Sequence, residues 1–248
     1  MEPVYRGIEI AAATAARALG TRITYQGMDN IPADGGAVIA MNHISYIDYL
    51  PAGLASRQRR RRIRYMLKAE ALEHGAVDFI IKHTDCIPVD RTAGAGAYAE
   101  AVRRLRAGQL VGVFPEATIS RSFELKEFKT GGVRMALEAQ VPIVPVILWG
   151  AQRMWTKDHP KNLGRNKIPW FIRAGEPLPP RGTMAELDAE LRASMTAILH
   201  EVQEQYPHPA GAWWVPHRLG GGAPTPAQAR RLDEDELAER ARRAMERH

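Results

Sequence analysis

Cysteine is nearly missing from this chain: Cys86 is the single one among 248 residues. One thiol cannot close an internal disulfide or build a cysteine-based zinc cluster, and this usage suits a reducing cytoplasm. No apolar run reaches the length of about 18 residues that a membrane-spanning helix needs, so any membrane contact is expected to be peripheral. The N-terminus has no charged-then-apolar pattern with a cleavage site, and no secretory signal is read there. Histidines at metal-ligand spacing are missing as well. His43, Asp48 and Glu116 could hold an ion on paper, but no second histidine is suitably placed, and no metal is expected.

What is present fits one domain with a large core: 45% of residues are hydrophobic and 25% charged. The formal charge of +6 points to an anionic partner, and phospholipid headgroups, coenzyme phosphates and nucleic acid all share that sign. The densest charge is Arg57-Gln-Arg-Arg-Arg-Arg-Ile-Arg64. No stacking aromatics surround it, which argues against nucleic acid. It reads either as a solvated loop or as a surface drawn to anionic lipid, at roughly 1 kcal/mol per basic residue.

Periodicity predicts helices over Pro3–Leu19, Ser45–Leu54, Ala71–Ile81, Gly94–Ala107, Phe128–Ala139 and Thr183–Gln205. Strands are expected over Arg22–Gln26, Ala37–Met41, Ile63–Leu67, Thr84–Val89, Gln109–Phe114, Val141–Trp149 and Trp170–Ala174. Pro142 and Pro145 place the sixth strand near an edge or a bulge. This alternation predicts a single α/β domain with a mostly parallel mixed sheet flanked by helices. The expected division is an N-terminal amphipathic helix (1–20), an α/β domain (21–205) and an irregular C-terminal segment (206–248) ending in a charged helix. In the first helix, Val4, Ile8, Ala12, Ala15 and Leu19 share a face that either packs on the domain or lies in a bilayer interface. Trp213-Trp214 could likewise grip the domain or a membrane.

His43, Lys68, Arg91 and Pro115-Glu116 all fall just past strand ends, where chemistry gathers in such folds. Asp48 lies five residues after His43. On one continuous helix that spacing separates the side chains by about 140°, so they meet only if His43 precedes the helix. Asp48 could then fix the ring tautomer and leave the other nitrogen as a base. Taken alone, the spacing also suits a capping or core histidine beside an unrelated aspartate.

Three blocks occur in order: Asn42-His43-x4-Asp48, Phe114-Pro115-Glu116-Ala117-Thr118, and Val141-Pro-Ile-Val-Pro-Val146. Together they resemble the glycerolipid acyltransferase family, most closely its bacterial 1-acylglycerol-3-phosphate acyltransferases, over roughly Gly27 to Pro180. The resemblance implies a fatty acyl transfer from a coenzyme A or acyl-carrier-protein thioester to a lysophospholipid hydroxyl, with lysophosphatidic acid as acceptor and phosphatidic acid as product. His43 would be the base and Asp48 its orienting partner, with no cofactor beyond the co-substrate. Arg91, in Ile-Pro-Val-Asp-Arg, and then Lys68 are the implied phosphate ligands. Glu116 and Thr118 correspond to residues that help bind glycerol phosphate, and Asn42 and Ser45 are assigned to substrate with them. The family's third block usually reads Phe-Pro-Glu-Gly-Thr-Arg-Ser, whereas Ala117 and Ile119 stand here for its glycine and arginine; Arg121 is the nearest replacement cation.

The expected location is the cytoplasm, on the inner face of the cell membrane, in contact with anionic lipid and without nucleic acid. Acylation of glycerol 3-phosphate or another lysolipid or glycolipid is the alternative within the class. A non-catalytic membrane-surface binding protein is the alternative outside it. A neutral imidazole is required, so activity is expected to fall below the ordinary histidine pKa of about 6.5.

Overall fold

The computed structural model describes residues 2–68, 83–89 and 94–246. The helix expected over Ala71–Ile81 and the candidate Arg91 lie outside these residues. Among those described, seven strands form one sheet: β1 (Ile23–Gln26), β2 (Ala37–Met41), β3 (Ile63–Lys68), β4 (Ile87–Val89), β5 (Leu110–Val113), β6 (Ile143–Trp149) and β7 (Trp170–Ala174). Their spatial order is β1-β7-β6-β2-β5-β3-β4, and every pairing is parallel except β6 with β7. The mostly parallel α/β sheet expected from the sequence is therefore the fold observed.

Side chains of successive strand residues point to opposite faces, and both faces are covered. Val38, Ala40, Val111, Val113, Ile143 and Ile147 pack beneath α3 (Gly94–Arg106), α4 (Gly131–Ala139) and α5 (Met184–Gln205). The alternate set, Ala37, Ile39, Met41, Val144, Val146 and Leu148, faces Ala52 and Ala55 of α2 (Tyr49–Gln58). Gly112 in β5 belongs to this tight face, since a Cβ there would lie 2.4 Å from Ile63 Cγ2.

Several expectations change in detail. β6 is an interior strand, between β7 and β2, rather than an edge. Pro142 lies just ahead of the strand, and Pro145 is tolerated within it because the antiparallel ladder is offset there: Val146 pairs Ala174, whereas Ile143 bridges Leu178. Three steps on β6 thus face four on the partner, which is a bulge. α1 (Pro3–Ala18) packs on α2 and buries Tyr5, Glu9 and Ala16 most deeply; of the expected face, Val4, Ile8, Ala12 and Leu19 are half-buried and Ala15 is exposed. The Tyr5 hydroxyl bonds both the carbonyl and the N–H of Ile63 (3.2 Å each), which anchors the helix to β3.

The core also runs on past Gln205, because Tyr206, Trp214, Val215 and Ala223 belong to it. α6 (Pro226–Met245) follows, with Ala229 buried near its start. The basic run is largely consumed within the fold. Arg59 pairs Asp29, Arg61 donates to the carbonyls of Pro32, Gly35 and Gly108, and Arg64 pairs Glu2. No described helix is long and apolar enough to cross a membrane.

Asn42 prolongs β2 through its side chain. Its Nδ2 donates to the Leu148 carbonyl (3.0 Å) and its Oδ1 accepts the Leu148 N–H (2.7 Å), all within the protein interior. Asn42→Ala orphans two buried backbone groups and is expected to lower unfolding free energy by about 3 kcal/mol, read from urea denaturation.

Candidate active site

β2, β5 and β6 lie side by side, and the turns leaving their carboxyl ends meet around His43. The helix after β2 starts at Tyr49, later than the expected Ser45, so Asp48 holds the N-cap position and His43 lies on the preceding turn. That is the geometry their spacing demanded. His43 Nδ1 is 2.9 Å from Asp48 Oδ2. The same oxygen accepts the N–H groups of Ile44 and Ser45, each at 2.8 Å. A carboxylate with two backbone donors already in place accepts from Nδ1–H as well, which leaves Nε2 as the free base.

Asp48 is completely buried, and its Oδ1 has no partner among the described residues. Burial pushes its carboxyl above the ordinary range, opposed by the His43 contact and the two amides. The His43 ring stacks on Phe114, with centroids 4.2 Å apart, and Tyr49 meets the ring edge-on. The ring is fixed from three sides, and its side chain keeps 13% exposure.

Glu116 holds the other side of the turn. Its Oε1 accepts the His43 N–H (2.8 Å) and its Oε2 accepts the Lys126 N–H (3.0 Å). Burial raises its pKa to about 7 against these two bonds. Glu116 was expected to touch substrate; instead both oxygens are engaged by the main chain, because an interior carboxylate needs every donor it can reach. It is a positioning residue for His43. Ser45 and Asn42 need the same correction. The Ser45 hydroxyl donates towards the Ala151 and Trp155 carbonyls (3.2 and 2.6 Å) and accepts the Ile47 N–H, while Asn42 clamps β6. Neither is free to hold substrate, and buried Ser45 is not available as a nucleophile.

Thr118 is half-buried and accepts from Lys126 Nζ (2.6 Å). Ile119 is buried, so the side chain at the position of the expected arginine joins the core. Arg121 does turn to charge, but towards Asp158, Asp233 and Glu236. β3 ends at Lys68, at the carboxyl edge as expected. Sequence reasoning gave no role to Phe114, Tyr49, Lys126, Lys157, Asp233 or Glu236. No local signal links Lys126 to Asp233, 107 residues away.

The class these features define is an α/β protein with a carboxylate-oriented histidine at the carboxyl edge of its sheet. A sequence model of the family described as Acyltransferase matches residues 22–149. The chain is 32% identical over 123 residues to the 1-acyl-sn-glycerol-3-phosphate acyltransferase of Bacillus subtilis, covering 49% of this chain and 60% of that protein. It is 28% identical over 150 residues to the protein of the same name from Borreliella burgdorferi, covering 56% of each. The chain thus spans little more than half the length of these relatives. The fold is shared with the 1-acyl-sn-glycerophosphate (LPA) acyltransferase PlsC of Thermotoga maritima, with a TM-score of 0.68 and 23% identity over 82% of this chain and 81% of that one. The chain belongs to the acyltransferase family.

Two outcomes follow from the local geometry. Ala117 sits at φ +59°, a left-handed conformation that glycine adopts freely, so Ala117→Gly is expected to stabilise the fold by about 1 kcal/mol in denaturant melts. The Glu116 pKa is raised in the folded state, so its contribution is complete below the ordinary carboxyl value and is lost as pH rises through about 7. Acidification from pH 8 to 5 should therefore stabilise the wild type relative to Glu116→Gln by on the order of 2 kcal/mol, measured by urea melts at the two pH values.

Proposed function

We propose that this chain transfers a fatty acyl group from a coenzyme A or acyl-carrier-protein thioester to the free hydroxyl of a lysophospholipid. The favoured acceptor is 1-acylglycerol-3-phosphate, and the product is then phosphatidic acid. The observation that carries the reading is the 2.9 Å contact of His43 Nδ1 with Asp48 Oδ2 at the sheet's carboxyl edge. The names of the Bacillus and Borreliella relatives support the choice of acceptor.

In this mechanism Nε2 takes the proton of the acceptor hydroxyl as its oxygen attacks the thioester carbonyl carbon. The carbon–oxygen bond forms and a tetrahedral oxyanion develops, which needs hydrogen-bond donors to stabilise it. The intermediate then expels the thiolate, which recovers the proton from Nε2. Asp48 stabilises the imidazolium between the two steps. The enzyme need form no covalent bond: the Ser45 hydroxyl is occupied, and burial raises the pKa of the Cys86 thiol, which suppresses its thiolate. The resemblance assigns the acceptor phosphate to Lys68 and Arg91; the cations of the loops after β5 and β6 are the second candidates. Peripheral contact with an anionic membrane on the cytoplasmic side brings enzyme to acceptor. Glycerol 3-phosphate and other lysolipids are the acceptors to test beside lysophosphatidate, since Ile119 removes one expected cation.

Thiol release from palmitoyl-coenzyme A, with and without lysophosphatidate, tests this reading. His43→Ala should lower acceptor-dependent release by about 10³-fold or more while leaving the thermal melt unchanged. A fully active His43→Ala protein would remove the proposed base. Liposome binding without thioester consumption by the wild type would instead support a membrane-surface binding protein.

A further inference from the structure

The C-terminal helix α6 is seated on the domain by charge. Among its described side chains only Ala229 is buried, while Asp233 and Glu236, four and seven positions on, lie half-buried on the same face. Leu232 and Leu237 are exposed instead. The inward face of an ordinary surface helix is apolar; this one is acidic.

Three cations receive it. Arg121, whose side chain is only 8% exposed, pairs with Asp233, with Glu236 (2.9 Å) and with Asp158 of the domain. Lys126 Nζ meets Asp233 and Thr118 Oγ1. Lys157 Nζ lies 2.8 Å from Glu236 and 3.6 Å from Asp233. The cluster adjoins the His43 turn: the Lys126 N–H is bonded to the Glu116 carboxylate that also holds the His43 N–H. Tyr46, on the turn itself, lines a cavity of about 520 Å³ with Arg121, Lys157, Leu232 and Glu236.

A guanidinium fork, two ammonium groups and a hydroxyl converging on two carboxylates would serve a phosphate dianion equally well. Exchange of two carboxylates for one dianion preserves the charge balance. We propose that Arg121, Lys126, Lys157 and Thr118 form a subsite for the acceptor's phosphate monoester, which Asp233 and Glu236 of α6 occupy in its stead. The headgroup enters by displacing the acidic face of α6, so the helix is a self-ligand that competes with acceptor. This inference rests on the proposed acyl transfer to a phosphate-bearing acceptor. It gives the chain a headgroup site built from loops after β5 and β6, at a turn where Ile119 itself carries no charge.

The test compares the full-length wild type with D233N/E236Q and with R121Q/K157Q. Direct binding of glycerol 3-phosphate, measured calorimetrically, should be at least tenfold tighter in D233N/E236Q than in wild type and lost in R121Q/K157Q. Saturating glycerol 3-phosphate should speed amide hydrogen exchange in residues 230–242 of the wild type. The KM for lysophosphatidate should fall several-fold in D233N/E236Q at unchanged kcat, with lysophosphatidylcholine, a diester, unaffected. A D233N/E236Q protein that melts lower yet binds no tighter would overturn the proposal and leave α6 a structural clamp. Inorganic phosphate binding as tightly as glycerol 3-phosphate, with no change in KM, would overturn the assignment to a headgroup. If the double variant fails to fold, E236Q alone should shift binding in the same direction, and no shift there counts against the proposal. A wild type that transfers no acyl group but shows the binding and exchange effects would defeat the acyl-transfer reading and leave the phosphate subsite standing.

Discussion

Two buried carboxylates fix one turn, and the rest of the site depends on them. Asp48 gathers the His43 ring and the N–H groups of Ile44 and Ser45 on a single oxygen. Glu116 gathers the N–H groups of His43 and Lys126 on its two oxygens. A carboxylate deprived of water is costly unless donors surround it, so each draws the nearby backbone into a defined shape. The geometry of the His43 turn is thus set by desolvated carboxyl groups. It does not rely on the intrinsic preference of a seven-residue turn.

The sheet supplies those donors at the right place. β2, β5 and β6 are adjacent, so the turns after β2 and β5 leave the same edge within reach of one another. The loop after β6 completes the support. The Trp155 carbonyl accepts from the Tyr46 N–H and the Ser45 hydroxyl, and the Thr156 hydroxyl donates to the Ile44 carbonyl. Segments more than 100 residues apart therefore share one rigid corner. Phe114 provides an apolar wall for the imidazole, so the edge away from Asp48 is the one free to exchange a proton.

Charge plays a second part at the same corner. Much of the arginine-rich run, which dominates the sequence by eye, is spent on Asp29, Glu2 and backbone carbonyls. The cations proposed to receive an anionic acceptor are scattered singly along the chain, at Arg121, Lys126 and Lys157. They are gathered only by folding, and α6 lays its acidic face on them. A net charge of +6 does not reveal this arrangement, because it counts charges and says nothing of where they meet.

By itself the sequence determined the layered architecture and the family. Alternating short apolar runs and amphipathic stretches leave few options but an α/β sheet, and side-chain periodicity is a local property of the backbone. The order of the His43–Asp48, Phe114–Thr118 and Val141–Val146 blocks was legible for the same reason: each is contiguous. Only the tertiary structure decided what the polar residues inside those blocks do. Asn42, Ser45 and Glu116 look available for substrate in the sequence, yet each is claimed by main-chain groups brought near by the sheet. Arg121 looks like a spare cation, yet it is met by carboxylates more than 100 residues downstream. A buried polar group takes whichever partner the fold places within about 3 Å, and that choice depends on distances between remote segments that no local pattern encodes.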